Sequence, residues 1–155
     1  MTQDIEHSFR VGAERQQVWS FIWDVEAVAR CIPGCQQVET LEEGKSYRAL
    51  VQRKLGPFSF GMDLDIVVVE IRAPKHLSVE ASGEDHRLKS QLRQVISLSL
   101  EEDGNPGTTV TINATFTLTG LLASLSKNLI EAQIGQVLED FAATLQKAIL
   151  DRHSR

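Results

Sequence analysis

The sequence predicts an α+β fold in which a curved antiparallel β-sheet of about seven strands wraps around a long C-terminal helix. Two observations lead to this class. Residues 38–119 alternate apolar and polar side chains almost throughout, and residues 120–152 carry the broad apolar stripe of one helix. An antiparallel sheet with one buried face needs a covering layer, and only this last helix is long enough to cross it. The 155 residues are expected to form one domain, spanning 1–155.

The chain begins with a strand and continues with two short helices. Residues 5–11 alternate apolar and polar side chains, which is typical of a half-buried strand. A helix over 13–23 is predicted because the larger apolar side chains fall on one face, namely Val18, Trp19, Ile22 and Trp23. Asp24 is a suitable N-cap for a second helix over 25–29. The Cys-Ile-Pro-Gly segment 31–34 ends that helix, because proline cannot continue it and glycine tolerates positive φ.

Six further antiparallel strands follow, separated by turn signals rich in glycine, proline and acidic residues. These strands are predicted over 38–41, 46–55, 58–71, 76–81, 92–100 and 108–119. In the longest strand the apolar phase shifts after Ile66 to Val67, Val69 and Ile71, which predicts a bulge that bends the strand. The last strand has the most regular alternation, with one apolar face formed by Val110, Ile112, Ala114, Phe116 and Leu118.

The long C-terminal helix is predicted to open at Gly120 and to continue to Arg152. Its apolar stripe consists of Leu122, Leu125, Leu129, Ile134, Val137, Leu138, Phe141, Leu145 and Ile149. Gly135 lies in the middle of this helix, where a glycine costs about 1 kcal/mol relative to alanine. Two explanations for Gly135 remain open: a notch for close packing against the sheet, or space for a ligand.

Composition and charge exclude several classes of protein. The chain has 16 basic and 21 acidic residues, a net charge of -5, and thus no broad basic face for nucleic acid. We expect no secretory signal and no membrane span, because the N-terminus lacks a basic and apolar leader and no apolar run is long enough. Two cysteines are too few for a secreted disulfide scaffold, so a cytoplasmic location is expected.

The residues that most often carry metal or catalytic chemistry form no recognisable site. Cys31 and Cys35 flank a Pro-Gly turn and are expected to be free thiols. The four histidines are scattered, and no metal site is expected. Asp63 and Asp65 share one strand face, opposite the apolar one, so they are expected to be solvated. No nucleophile elbow, phosphate loop or dinucleotide fingerprint is present, and no catalytic residue is assigned.

Several motifs together resemble those of the CoxG family of carbon monoxide dehydrogenase subunits. They are Val18-Trp19 followed by Asp24, then Cys31-Ile32-Pro33-Gly34-Cys35, Leu55-Gly56-Pro57-Phe58, Gly107-Thr108-Thr109, and the closing helix Leu121 to Leu145. That family lies within the START/Bet v 1-like (SRPBCC) superfamily, whose helix-grip fold agrees with the fold class predicted above. The similarity covers nearly the whole chain.

The resemblance implies a small protein without a cofactor and with an internal apolar cavity. Relatives are accessory to molybdenum-containing CO dehydrogenases and related hydroxylases, in assembly, membrane recruitment or the passage of a lipid- or quinone-like molecule. The expected partners are therefore a small apolar ligand and such an enzyme complex. Peripheral association with a membrane is left open, because some relatives reach it through a C-terminal extension and this chain ends at Arg155.

The leading hypothesis is a non-enzymatic carrier that binds an apolar ligand between the sheet and the C-terminal helix. The candidate ligand-binding residues are Trp23, Phe58, Phe60, Met62, Leu64, Ile96, Ala114, Phe116, Leu122, Leu125, Leu129 and Val137. His7, Arg53 and Gln94 lie in phase with apolar neighbours. They either reach out to water from strand ends or contact the polar end of the ligand.

Two alternatives come from other functional classes. The first is a cyclase- or hydrolase-like enzyme for a hydrophobic substrate, with His7 or Arg53 as the polar catalyst; it requires a buried ionisable group with a perturbed pKa. The second is a pure protein-interaction module in enzyme maturation, which would have a filled core and an exposed apolar patch. Fold alone does not decide among these three, because one fold hosts many functions.

Overall fold

The computed structural model describes residues 2–104 and 106–153 and contains one curved antiparallel sheet of seven strands. The strands are β1 (Thr2–Val11), β2 (Cys35–Glu42), β3 (Ser46–Leu55), β4 (Phe58–Arg72), β5 (His76–Asp85), β6 (Ser90–Glu102) and β7 (Thr108–Thr119). Across the sheet they follow the order β1-β7-β6-β5-β4-β3-β2, so the first strand pairs with the last. Neighbouring strands from β2 to β7 are joined by hairpins, as the turn signals predict.

The helices are α1 (Arg15–Ile22), α2 (Val25–Ala29) and α3 (Lys127–His153), with a 3-10 turn at Leu121–Ser124. The Asp24 carboxylate caps α2 by accepting a hydrogen bond from the Ala27 backbone N–H at 3.2 Å, as predicted. The long helix α3 covers one face of the sheet, which confirms the predicted fold class. Within the described residues, no helix combines the length and apolarity that a membrane span requires.

The alternation in β7 positions one wall of the interior. Val110, Ile112, Ala114, Phe116 and Leu118 are all buried on the face beneath α3. The threonines between them lie on the opposite face, where Thr111 and Thr117 bond to hydroxyls of β1. The period-two pattern therefore predicts the inner and outer faces of this strand correctly.

The bulge in β4 lies slightly beyond its predicted position. The register shifts between Val68 and Glu70, and Val68 faces inward opposite Val79 of β5. Val67, Val69 and Ile71 are consequently more than 40% exposed, although the phase shift suggested that they would turn inward. One extra residue at the bulge leaves Val69 unpaired, so the residue that keeps the inward phase is Val68.

The β5–β6 hairpin also differs from the prediction. β5 continues to Asp85, whereas 83–85 were expected to turn. Asp85 is buried, and its carboxylate accepts hydrogen bonds from the backbone N–H groups of Leu88 at 3.0 Å and Gly61 at 3.1 Å. The side chain caps the turn rather than forming it, so the turn lies three residues later.

The connection from β7 to α3 is the largest departure from the predicted helix. Gly120 has φ 80° and ψ -154°, Leu121–Ser124 form the 3-10 turn, and Leu125 is extended. The helix α3 begins only at Lys127, where the Ser126 hydroxyl accepts a hydrogen bond from the Leu129 backbone N–H at 3.2 Å. An uninterrupted helix from Gly120 is therefore wrong, because glycine in this conformation turns the chain out of the sheet first.

The C-terminal half of α3 is attached firmly to the rest of the molecule. Leu145 and Ile149 are fully buried, and the Gln146 side-chain amide donates to the Arg10 carbonyl at 2.9 Å. Arg152 forms an ion pair with Asp24 at 3.2 Å and lies 4.4 Å from the ring centre of Phe21. The N-terminal half of α3 is held differently, because it lies over a cavity.

Candidate functional site

An internal cavity of about 250 Å³ lies between the sheet and the N-terminal half of α3. Strands β3 to β7 supply its floor, α3 its roof and α2 with the following turn one side. Its α3 residues are Ile130, Gln133, Ile134, Val137, Leu138 and Phe141, and its α2 and turn residues are Val25, Val28, Ala29, Ile32 and Pro33. A volume of this size lies slightly below the usual range for small-molecule sites, about 300–1,000 Å³.

The wall of this cavity is almost entirely apolar. Among the described residues that line it, the polar side chains are Arg53, Lys54, Gln94 and Gln133, and none is acidic. The remaining positions are aliphatic or aromatic side chains and one proline. A space of this kind favours an apolar ligand that has a polar group at one or two points, because an unpaired polar atom buried there would lose free energy.

Small side chains on two strands explain why the interior is not filled. Ala81 of β5 pairs with Gln94 of β6, and Ala114 of β7 pairs with Ile96 of β6. Ala81 and Ala114 face α3, and both line the cavity. Protein interiors are otherwise close-packed, so short side chains at facing positions leave space unless a longer neighbour reaches in.

Eight of the twelve predicted apolar site residues line the cavity. They are Phe60, Met62, Leu64, Ile96, Ala114, Phe116, Leu122 and Val137. Seven of these belong to the predicted strands or the helical stripe, whose faces the sequence pattern predicts. Leu122 takes part from the 3-10 turn rather than from the helix.

The other four predicted residues, Trp23, Phe58, Leu125 and Leu129, lie outside the cavity wall. Trp23 is 44% exposed and stacks on Trp19, with the ring centres 6.3 Å apart. Leu125 and Leu129 pack over the β3–β4 hairpin instead, where a Cβ added to Gly56 would lie 2.9 Å from Leu129 Cδ2. The interruption of the helix before Lys127 displaces both leucines from the stripe. Phe58 starts β4 at the same hairpin.

The three predicted polar contacts separate in the same way. Arg53 and Gln94 line the cavity, whereas His7 does not. His7 lies on the edge strand β1, where its ring centre is 6.2 Å from that of Phe9. The alternation of a strand fixes which face a side chain takes, but not which part of that face borders a cavity.

Sequence reasoning missed several lining residues, of which Gln133 and Lys54 are polar. Gln133 precedes Val137 by one helical turn, so helical spacing could have identified it. Lys54 is exposed yet borders the cavity, so the cavity approaches the surface at the end of β3. No local pattern indicates this position of Lys54.

Gly135 has open space around it. A Cβ added there meets no atom within 4 Å, and the residue does not border the cavity. Close packing against the sheet is therefore not the reason for this glycine.

The cysteines and acidic residues take no part in the cavity. Cys31 and Cys35 are free, and burial raises the pKa of both thiols, so they stay protonated near neutral pH. Asp63 and Asp65 are exposed on the outer face, as predicted, and Asp65 pairs with Arg48 at 3.0 Å. Within the described part of the chain, no three histidine, cysteine or acidic side chains are placed to hold a metal ion.

Comparison with known proteins agrees with this architecture. Residues 8–150 match the model of the CoxG family of carbon monoxide dehydrogenase subunits. No curated protein sequence matches the chain. The match confirms the resemblance that the sequence motifs indicate.

Solved structures share the fold at low sequence identity. A conserved protein from Geobacillus kaustophilus is 21% identical, with a TM-score of 0.86 and 96% of each chain covered. The ZhuI aromatase/cyclase from Streptomyces sp. R1128 is 14% identical, with a TM-score of 0.72 and coverage of 100% of this chain and 97% of that one. A START superfamily protein from Mycobacterium smegmatis is 13% identical, with a TM-score of 0.72 and coverage of 96% and 97%. At these identities the likeness establishes the helix-grip fold alone.

Proposed function

Because the chain belongs to the CoxG family of carbon monoxide dehydrogenase subunits, we propose that it is a non-enzymatic carrier or accessory protein for a small apolar ligand. The ligand is lipid- or quinone-like and occupies the space beneath α3. The observation that carries this proposal is the cavity of about 250 Å³, whose wall is nearly free of polar side chains. Its contacts come from Phe60, Met62, Ala114, Phe116 and Val137 together with their apolar neighbours.

Burial of apolar area supplies the binding free energy. A ligand that removes about 300 Å² of apolar surface from water gains roughly 7 kcal/mol, at about 25 cal/mol per Å². The loss of translational, rotational and internal freedom opposes this gain. The net affinity suits a carrier, because the ligand must also be released.

The proposed enzyme partner is a molybdenum-containing CO dehydrogenase or a related hydroxylase. Support comes from the family, whose description names a component of that enzyme. We place the complex in the cytoplasm, where the free thiols of Cys31 and Cys35 would stay reduced. Co-purification of the hydroxylase with the tagged chain tests this partner, and recovery of the chain alone from cells that contain the hydroxylase contradicts it.

The two alternatives have less support from the geometry. An enzyme needs a group that can exchange protons at the substrate, yet His7 lies away from the cavity and no described lining residue is acidic. The Streptomyces aromatase/cyclase has the same fold, but fold does not carry activity with it. A pure interaction module would have a filled core, which the cavity argues against.

Extraction of the purified protein tests the carrier. Organic extraction followed by mass spectrometry is expected to recover an apolar compound at a fixed ratio to protein, and protein freed of it is expected to bind the neutral dye Nile red. Protein that yields no such compound and leaves the dye fluorescence unchanged contradicts the proposal.

A further inference from the structure

Two cations border the apolar cavity at the end of β3. Arg53 faces the cavity side of the sheet opposite Phe60, and the exposed Lys54 follows it. Within residues 2–104 and 106–153, neither side chain forms an ion pair or a hydrogen bond with another group. An unpaired cation beside an apolar space is available to a ligand in a way that a paired one is not.

A second, shallower groove on the surface adjoins the cavity and contains a third cation. It is lined by Gln52, Arg53, Lys54, Ser59, Phe60, Gly61 and Arg87, and it shares Arg53, Lys54 and Phe60 with the cavity. Arg87 is held beside it by donating a hydrogen bond to the Ser59 carbonyl. Among the described residues neither lining contains a carboxylate, although the whole chain has a net charge of -5.

The stem of Arg53 is held in place by the turn between α2 and β2. Gly34 has φ +87°, and a Cβ added there would lie 2.5 Å from Arg53 Cγ and 2.6 Å from the Gln52 carbonyl oxygen. The Gln52 backbone N–H also donates to the Gly34 carbonyl at 2.9 Å. The glycine therefore lets the turn close over the arginine stem, which reduces the side-chain freedom that binding would otherwise remove.

We propose that the ligand is a single-chain amphiphile with an anionic head, whose oxygens accept hydrogen bonds from Arg53 while its chain enters the cavity. Lys54 and Arg87 add attraction at the rim. This inference rests on the proposed function and narrows its ligand class. The planar guanidinium matches a carboxylate or phosphate in geometry, and a head at the surface stays partly hydrated. A cavity of about 250 Å³ suits one chain better than two.

Binding of two ligands with equal chains tests the head group. Dodecanoate is negatively charged at about pH 8, whereas 1-dodecanol carries no charge, and each can displace Nile red from the protein. We expect the wild-type protein to bind the acid about tenfold more tightly than the alcohol. Added salt is expected to reduce this ratio, because it screens charges near the surface.

Two matched variants locate the preference. In Arg53→Gln the ratio of acid to alcohol affinity is expected to fall close to one. In Arg93→Gln, which changes an exposed arginine on the outer face of β6, the wild-type ratio is expected to remain. Equal binding of acid and alcohol by the wild-type protein overturns the proposal, even if Arg53→Gln does not fold. So does an unchanged ratio in a folded Arg53→Gln.

The same measurements separate this inference from the carrier itself. If the protein binds 1-dodecanol and not the acid, the carrier stands and the anionic head is wrong. If it binds neither ligand and no dye, the carrier fails as well. Vesicles of phosphatidylglycerol and of phosphatidylcholine distinguish a free acid from a lipid headgroup. We expect dodecanoate to bind and neither lipid to be extracted, and extraction of phosphatidylglycerol alone would assign the anion to a two-chain lipid and overturn the single-chain assignment.

Discussion

Gly120 passes so close to the backbone of Lys89 that a Cβ on residue 120 would lie 1.8 Å from the Lys89 carbonyl oxygen. This contact joins the end of β7 to the β5–β6 turn. The next two residues are tied to the same turn, because Leu121 donates to the Leu88 carbonyl at 3.3 Å and Leu122 donates to the Ser90 hydroxyl at 3.0 Å. The start of the 3-10 turn, and hence the place where α3 begins, depends on this approach.

We expect Gly120→Ala to lower the free energy of unfolding by at least about 2 kcal/mol, because both the positive φ and the backbone contact oppose a side chain. Urea denaturation measures the change. Gly12→Ala is the control, since a Cβ there meets no atom within 4 Å, and it is expected to be neutral or slightly stabilising. Equal stability of the two variants would show that the link is not constrained.

Filling the cavity should abolish ligand uptake. Ala114 is buried on β7 and borders the cavity, so the indole of Ala114→Trp would occupy the space. We expect Nile red affinity to fall at least about tenfold. Ala143→Trp places the same side chain on the exposed face of α3 and should leave the dye affinity as in the wild type. A folded Ala114→Trp protein that binds the dye normally would count against this site.

Removing the helix-interior glycine should stabilise the protein. Because a Cβ on residue 135 meets open space, Gly135→Ala is expected to raise the free energy of unfolding by up to about 1 kcal/mol. Dye uptake is expected to stay unchanged, since Gly135 does not border the cavity. Weaker uptake in a stabilised variant would instead assign this glycine to ligand entry.

The stability of the fold should decrease in acid through Asp85. Burial tends to raise the pKa of this carboxyl, but hydrogen bonds from the backbone N–H groups of Leu88 and Gly61, together with the charge of Arg87, lower the pKa below its ordinary value. A carboxyl whose pKa is lowered by folding stabilises the protein above the pKa of the unfolded chain. That contribution is lost as the pH falls through the folded pKa.

We therefore expect the free energy of unfolding to drop below about pH 4. Asp85→Asn should be less stable than the wild type at neutral pH and should lose less stability between about pH 6 and pH 3. Urea denaturation across this range measures both effects. An identical pH dependence in the two proteins would exclude Asp85 as the source.

Much of the site was predictable because its walls follow local periodicities. The alternation in β7 places Ala114 and Phe116 on the inner face, and the helical stripe places Val137 opposite them. Trp23 was not predictable in this way. It lies on the apolar face of its helix by sequence, but the helix ends beside it and leaves it 44% exposed.

The sequence by itself determined the seven strands, the three helices, the family and the inward phase of Arg53 and Gln94, because each depends on residues that are neighbours along the chain. Only the tertiary structure decided that α3 starts at Lys127 rather than at Gly120, and that Lys54 and Gln133 border the cavity while His7 does not. A cavity is the volume left over when side chains from separate elements meet, so its existence and its rim depend on distances that no single segment encodes.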